Sequence, residues 1–193
     1  MEGVERNTDI YELQRRIAIY EDETAYKELF SRFYGPLKKF AIGFVKLAEP
    51  SEEIVSDVFI EIWKRRSSLM EIDDLKVYLY VCVRNESLRK AKQLRKTSTV
   101  FLDDFTYQFT STYIRPDEAM LNSELTLRIQ AAINELPPRC KLVYKLAKED
   151  KLRYKDISII LQISIKTVDN QLATALKKIA SAINFQLKKN SSV

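Results

Sequence analysis

The scarcity of glycine constrains the fold of this chain more than any other feature of its sequence. The 193 residues contain three glycines, and none follows Gly43. β-Sandwiches and barrels need many tight turns, and glycine is the residue that adopts their positive backbone angles most easily. The pattern therefore argues against a β-rich fold. It also excludes the glycine-rich loops that hold nucleotide phosphates.

Apolar residues in the first half recur at intervals of three and four, which predicts α-helices. One such run covers residues 25–45, and Pro36 inside it predicts either two helices or one kinked helix. The next helix is predicted to begin at Ser51, a favourable N-cap residue. A further helix is predicted from the acids Asp73 and Asp74 to about Lys96.

The second half is predicted to be helical as well, after an interruption. Residues 97–117 are rich in threonine, serine and aromatic residues and show no helical spacing, which favours a linker over a small strand pair. Two consecutive prolines at 137 and 138 end one helix and begin the next. We therefore predict an all-α chain of two small helical domains, residues 1–96 and 118–193, joined by a flexible linker, residues 97–117.

The end of the chain predicts a helix-turn-helix. A short helix from Tyr154 to Leu161 is followed by a turn at Gln162 and Ile163, and Ser164 is placed to cap a long final helix. The residues expected to be buried by that helix are Ile165, Val168, Leu172, Leu176, Ile179, Ile183 and Leu187. The side chains expected on its outer face, where they suit the major groove of DNA, are Lys166, Thr167, Asn170, Gln171, Thr174, Lys177 and Lys178. An ordinary amphipathic helix with a solvated face is the alternative.

Charge is segregated along the chain, whose net charge is +5. Residues 84–96 carry six basic side chains and one acid, whereas residues 51–63 carry four acids and no base. The first segment suits nucleic acid and the second suits a basic protein partner. A merely solvated basic helix is the weaker explanation of the first segment.

The residue inventory argues against an enzyme. The chain has no histidine, which removes the commonest general base and metal ligand. Its cysteines, Cys82 and Cys140, lack metal-site spacing and are expected to be small buried apolar residues. We therefore expect no catalytic residue, cofactor or metal. Residues 1–9 do not resemble a signal peptide, and no stretch approaches the ~20 apolar residues of a membrane span, so a cytoplasmic protein is expected.

Four segments, in this order, resemble the extracytoplasmic-function branch of the bacterial sigma-70 family. They are DETAYKELFSRFYGPLKKFA, SEEIVSDVFIEIWKRR, DDLKVYLYVCVRNESLRKAKQLRK and LPPRCKLVYKLAKEDKLRYKDISIILQISIKTVDNQLATALKKI. The resemblance implies a factor that directs core RNA polymerase to promoter DNA. It also implies a silencing partner, an anti-sigma factor that is commonly anchored in the membrane.

The resemblance assigns roles to the first half. The acidic helix would dock on the polymerase through Glu53, Asp57, Val58, Phe59 and Glu61. Packing of Val55, Phe59 and Trp63 into the first domain is the alternative for its apolar residues. The minus-ten element would be read as single-stranded DNA by Asn85, with Arg84, Arg89 and Lys92 on the phosphate backbone. In the linker, Asp103 and Asp104 would face basic walls of the polymerase cleft.

The final helix would read the minus-thirty-five element as duplex DNA. Two residues in the helix-turn-helix depart from the family pattern. Arg153 stands where a capping serine or threonine is frequent, and Gln162 stands at a turn position that often holds glycine. Thr174 replaces a frequent basic residue, which puts its DNA contact in doubt. The competing hypothesis is a stand-alone helix-turn-helix regulator of duplex DNA, and an enzyme ranks third.

Overall fold

The computed structural model describes the backbone of residues 2–97 and 123–190 and the side chains of residues 9–94 and 126–181. No strand occurs within these ranges, so the all-helical prediction is confirmed for them. The helical elements are α1 (Glu2–Tyr20), α2 (Glu23–Val45), α3 (Ala48–Lys64), the 3-10 helix η1 (Arg66–Glu71), α4 (Leu75–Thr97), α5 (Ser123–Asn134), α6 (Pro138–Lys148), α7 (Tyr154–Leu161) and α8 (Ile165–Asn190). The predicted linker lies almost entirely outside the described residues.

The chain divides into two compact units. The first unit contains α1 to α4, and the second contains α5, α6, α8 and the start of α7. None of the helices described is long and apolar enough to cross a membrane.

Helix α2 is the centre of the first unit and packs against both α3 and α4. It begins at Asp22, whose carboxylate accepts hydrogen bonds from the backbone N–H groups of Thr24 and Ala25 at 2.8 and 3.1 Å. Aromatic contacts join it to its neighbours, with ring centroids 4.9 Å apart for Phe30 and Phe59. Pro36 lies inside a single continuous helix, so of the two predicted alternatives the one with two helices is wrong.

The first helix, α1, and the 3-10 helix η1 were not predicted. Ile10, Leu13 and Ile17 of α1 are buried, at a spacing of three and four. The side chain of Gln14, only 2% exposed, lies beside them. Its amide nitrogen donates to the backbone carbonyls of Leu69 and Ile72, at 2.5 and 2.8 Å, and thereby ties α1 to η1 and the residue after it.

The N-cap of helix α3 lies four residues earlier than predicted. Leu47 occupies the N-cap position and makes no side-chain capping bond, and α3 starts at Ala48. Ser51 is fully buried inside the helix, where its hydroxyl donates to the carbonyl of Leu47 at 2.6 Å. The prediction of Ser51 as N-cap is therefore wrong, because this hydroxyl bonds back to the preceding turn.

In the second unit, α5 and α6 pack against α8. Its buried cluster consists of Ala132, Ile133, Leu136, Cys140, Ala175 and Ile179. Val168 and Leu172 of α8 are buried as predicted, but Ile165 and Leu176 are 51% and 42% exposed, so their predicted burial is wrong. Ala175, one residue from Leu176, takes the buried position. The predictions for Ile183 and Leu187 fall outside the described side chains.

Candidate nucleic-acid and protein interfaces

One face of α3 carries the predicted stripe of acids. Glu53, Asp57 and Glu61 are all exposed and recur every fourth residue. Glu53 forms an ion pair with Lys90 of α4 at 2.7 Å, and Glu61 forms one with Arg65 at 2.6 Å. The stripe therefore presents three carboxylates to solvent, and two of them also form ion pairs within the first unit.

Of the other predicted docking residues, Val58 and Phe59 are 5% and 1% exposed. Their burial favours the alternative, in which the apolar residues of α3 pack into the first unit and do not contact a partner. Ile60, which was not singled out from the sequence, is 50% exposed. It borders a small apolar groove of about 340 Å³ that Tyr26 and Phe30 of α2 help to line.

The predicted minus-ten residues lie on α4. Asn85, Arg89 and Lys92 are exposed, and Arg84 is half-buried. Arg84 donates to the side-chain oxygen of Asn85 at 3.3 Å. The pKa of Arg89 is raised above its usual value, chiefly by its hydrogen bond to Glu86.

The structure brings two of the predicted sites to one place. A groove of about 910 Å³ runs between α3, η1 and α4, and we call it the α3–α4 groove. It is lined by Asp57 and Glu61 from the acidic stripe and by Asn85 and Arg89 from the basic helix. This juxtaposition could not be predicted from sequence patterns, because the two pairs are more than twenty residues apart. A change of charge at Asp57 or Glu61 therefore also changes the electrostatic environment of Asn85 and Arg89 on α4.

The helix-turn-helix forms where it was predicted. Gln162 adopts a positive φ of 54°, and the N–H of Ile163 bonds to the carbonyl of Ser158 at 3.1 Å, as in a Schellman C-cap. The hydroxyl of Ser164 accepts from the N–H of Thr167 at 3.0 Å, which confirms Ser164 as the cap of α8. The chain thus enters α8 through a turn fixed at both ends.

The missing capping residue before α7 is compensated from within the helix. Asp156, only 5% exposed, accepts from the backbone N–H of Arg153 at 3.2 Å. It also accepts two hydrogen bonds from the Arg153 guanidinium, at 2.8 and 3.0 Å. A charge-assisted contact therefore stabilises the start of α7 in place of a capping hydroxyl.

Most of the predicted face of α8 is open to solvent. The exposed members are Lys166, Asn170, Thr174, Lys177 and Lys178, and the half-buried members are Thr167 and Gln171. The Thr174 hydroxyl donates to the backbone carbonyl of Asn170 at 2.8 Å. Gln171 contacts the interior, since its Oε1 lies 2.8 Å from the Sγ of Cys140 on α6. The burial of Cys140 was predicted, but its contact with Gln171 was not, because nothing in the sequence pairs residues 31 positions apart.

No group of metal-ligating side chains occurs within the described ranges. The known proteins that this chain resembles act in transcription. Residues 29–97 match the model of sigma-70 region 2, and residues 126–179 match that of sigma-70 region 4. The ECF RNA polymerase sigma factor RpoE of Cereibacter sphaeroides is 24% identical over 176 residues, which cover 89% of this chain and 93% of the relative. The chain belongs to the extracytoplasmic-function branch of the sigma-70 family.

One further relative and two solved structures are also similar to this sigma factor. The RNA polymerase sigma-H factor of Pseudomonas aeruginosa is 20% identical over 174 residues, covering 86% of this chain and 90% of the relative. RpoE of Bartonella quintana, solved in complex with the anti-sigma factor NepR, shares the fold with a TM-score of 0.56 and 20% identity, over 82% of this chain and 96% of that one. CnrH, solved in complex with the cytosolic domain of CnrY, shares the fold with a TM-score of 0.54 and 17% identity, over 89% of this chain and 95% of that one.

Region 2 thus corresponds to α2 through α4 and region 4 to α5 through most of α8. The sigma factor is a transcription initiation factor, and the runner-up, a stand-alone regulator, is set aside.

Proposed function

We propose that this sigma factor guides core RNA polymerase through two separate DNA readers and one acidic docking surface, and that it performs no covalent chemistry itself. The observation that carries the proposal is the α3–α4 groove. There an acidic stripe lies beside a basic helix, an arrangement that a stand-alone duplex-binding regulator does not need. Residues 1–96 would hold the docking surface and the minus-ten reader, residues 118–193 the minus-thirty-five reader, and residues 97–117 the linker.

The minus-ten reader is proposed on α4. Asn85 is exposed on the wall of the α3–α4 groove, where its amide can bond to the edge of an extruded base. Arg84, Arg89 and Lys92 would hold phosphates on the same helix. Extruding a base costs a few kcal/mol, which the phosphate contacts and the groove would offset.

The minus-thirty-five reader is proposed on α8. Asn170 and Gln171 lie in the second turn of the helix, where recognition helices make their base contacts. Lys166, Lys177 and Lys178 would contact phosphates or guanine, and Thr167 lies near the capped helix end. Thr174 is the weakest member of the set, because its hydroxyl already bonds to the backbone.

The docking surface is proposed on the acidic stripe of α3. Glu53, Asp57 and Glu61 are solvent-exposed carboxylates that a basic surface of the polymerase can pair with. Val58 and Phe59 would support the stripe from beneath rather than contact the partner, because both are buried.

We infer further that the protein acts in the cytoplasm and is held silent by an anti-sigma factor, with a membrane-anchored protein as one form of that partner. Support comes from the Bartonella quintana protein of the same fold, which was solved with its anti-sigma factor. No cofactor or metal is proposed.

In vitro transcription tests the proposal directly. Fragmented genomic DNA is transcribed with core polymerase of the source organism, with and without the purified protein, and the start sites are mapped. New starts that share two spaced upstream sequence elements are expected. If a folded, inhibitor-free protein produces no new starts but selects duplex sequences by itself, the stand-alone regulator replaces the proposal.

A further inference from the structure

Within the part of the chain that the structure describes, the side chain of Gln171 links the proposed minus-thirty-five reader to the interior of the second unit. Its Oε1 lies 2.8 Å from the Cys140 thiol sulfur, and Cys140 is 4% exposed. Cys140 itself is fixed in the buried cluster with Leu136, Ala175 and Ile179. The thiol therefore belongs to the rigid core, whereas the amide belongs to the DNA-facing helix.

We propose that Cys140 is a positioning residue for promoter reading: its thiol holds the Oε1 of Gln171 toward the core, so that the amide presents its NH₂ group to the DNA. The proposal rests on the proposed function of α8 and specifies which kind of DNA base Gln171 recognises.

The direction of the hydrogen bond follows from the chemistry of the two groups. An amide oxygen only accepts, so the thiol must donate its proton. Burial raises the pKa of the Cys140 thiol, which keeps the proton on sulfur at neutral pH. Oε1 and Nε2 are the two branches of the planar carboxamide group, so when the oxygen is held at Cys140 the nitrogen points away from the sulfur. Nε2 has no hydrogen-bond partner among the described residues.

This orientation changes which base Gln171 prefers. A free glutamine recognises adenine by two bonds, donating to N7 and accepting from the N6 amino group. With its oxygen turned toward Cys140, Gln171 presents its NH₂ group to the DNA, and it then favours a base edge rich in acceptors: N7 and O6 of guanine, or O4 of thymine. Asn170, exposed on the neighbouring position, keeps both amide atoms available. The two amides would thus read different bases.

A promoter library tests the proposal with the whole sigma factor and core polymerase. The minus-thirty-five element is randomised, and transcripts are sequenced for the wild type, Cys140→Val and Cys140→Ser. Valine keeps an apolar side chain without a donor, whereas serine restores a donor. We expect Cys140→Val to increase the use of adenine at one position by about fivefold or more, the equivalent of one bidentate pair. Cys140→Ser should keep the wild-type preference, and preferences at the minus-ten element should not change in either variant.

Gln171→Met, alone and combined with Cys140→Val, is the second measurement. Once the amide is gone, Cys140→Val should cause no further change of base preference. If Cys140→Val leaves the preference intact while Gln171→Met alters it, Cys140 is only a core residue and the proposal is overturned. If Gln171→Met changes nothing on promoters that the protein still activates, Gln171 reads no base and the proposal also fails. Failure of the wild type to start transcription anywhere would instead reject the proposed function.

Discussion

At the scale of single residues, the turn of the helix-turn-helix depends on one unusual backbone angle. Gln162 has a φ of 54°, the left-handed region in which side chains other than glycine are strained. The Schellman bond from Ile163 to Ser158 holds it there, because the turn could not close otherwise. The strain is thus located at the junction that sets the direction of α8.

Replacing this residue with glycine should relieve the strain. We predict that Gln162→Gly raises the free energy of unfolding by roughly 0.5–1 kcal/mol, the relief being partly offset by the greater freedom of glycine in the unfolded chain. Urea unfolding monitored by circular dichroism measures the change. Gln130→Gly, the same exchange within α5, is the control and should destabilise by about 0.5–1 kcal/mol. Equal effects of the two substitutions would contradict the argument.

At the scale of elements, α1 and η1 form a structural support for the α3–α4 groove. Leu69 and Ile72 line that groove, and their carbonyls accept from the buried amide of Gln14. The groove wall is therefore fixed by a side chain more than fifty residues away in the sequence.

Removing the two donors of Gln14 should loosen this wall. We predict that Gln14→Leu lowers the free energy of unfolding by roughly 1–3 kcal/mol, because the buried carbonyl of Leu69 and the partly buried carbonyl of Ile72 lose their donor. Chemical denaturation measures the loss, and hydrogen exchange should locate it at η1. Leu13→Met, a nearly volume-conserving change one residue away, is expected to cost less than about 1.5 kcal/mol. A Gln14→Leu protein as stable as the wild type would refute the role.

Helix boundaries were predictable where local chemistry decides them and not where tertiary contacts do. The limits of α7 and the cap at Ser164 were predicted correctly, because the turn between them is set by nearby residues. Helix α1 was missed, since its few buried positions alternate with charged ones. The burial of Ser51 and the exposure of Leu176 depend on neighbouring helices, which a periodic pattern does not reveal. For the same reason the shared groove and the contact of Cys140 could not be foreseen.

The acidic stripe of α3 makes a separate prediction at this scale. Asp57→Lys combined with Glu61→Lys should weaken binding to core polymerase at least tenfold at moderate salt, because two attractive charges become repulsive. Fluorescence titration of the polymerase measures the affinity, and circular dichroism should show an unchanged fold.

The control places the same change of charge elsewhere on the first unit. Glu23→Lys with Glu28→Lys replaces two exposed acids of α2 and should leave the affinity within about twofold, since long-range charge effects are screened. Because Asp57 and Glu61 also face Asn85 and Arg89, the first variant is expected to change minus-ten recognition too. Equal losses in both variants would show that net charge, and not the stripe, governs docking.

At the scale of the whole molecule, the charge of the folded protein is nearly independent of pH around neutrality. The chain has no histidine. The pKa of Asp22 is lowered by hydrogen bonds to the N–H of Ala25 and to Arg16, and it therefore titrates well below neutrality. Burial raises the pKa of the Cys82 and Cys140 thiols, which titrate well above it. Stability should consequently have a plateau bounded by these groups.

The sign of each effect follows from proton linkage. Below about pH 4.5 the unfolded chain binds a proton at Asp22 before the folded one does, so the free energy of unfolding falls as the pH falls. Above about pH 8.5 the thiols of the unfolded chain lose protons that those of the folded chain keep, so the free energy of unfolding falls as the pH rises. Between pH 6 and 8 it should stay constant within about 0.5 kcal/mol. Denaturation at a series of pH values checks all three ranges. A steep slope between pH 6 and 7 would contradict the plateau.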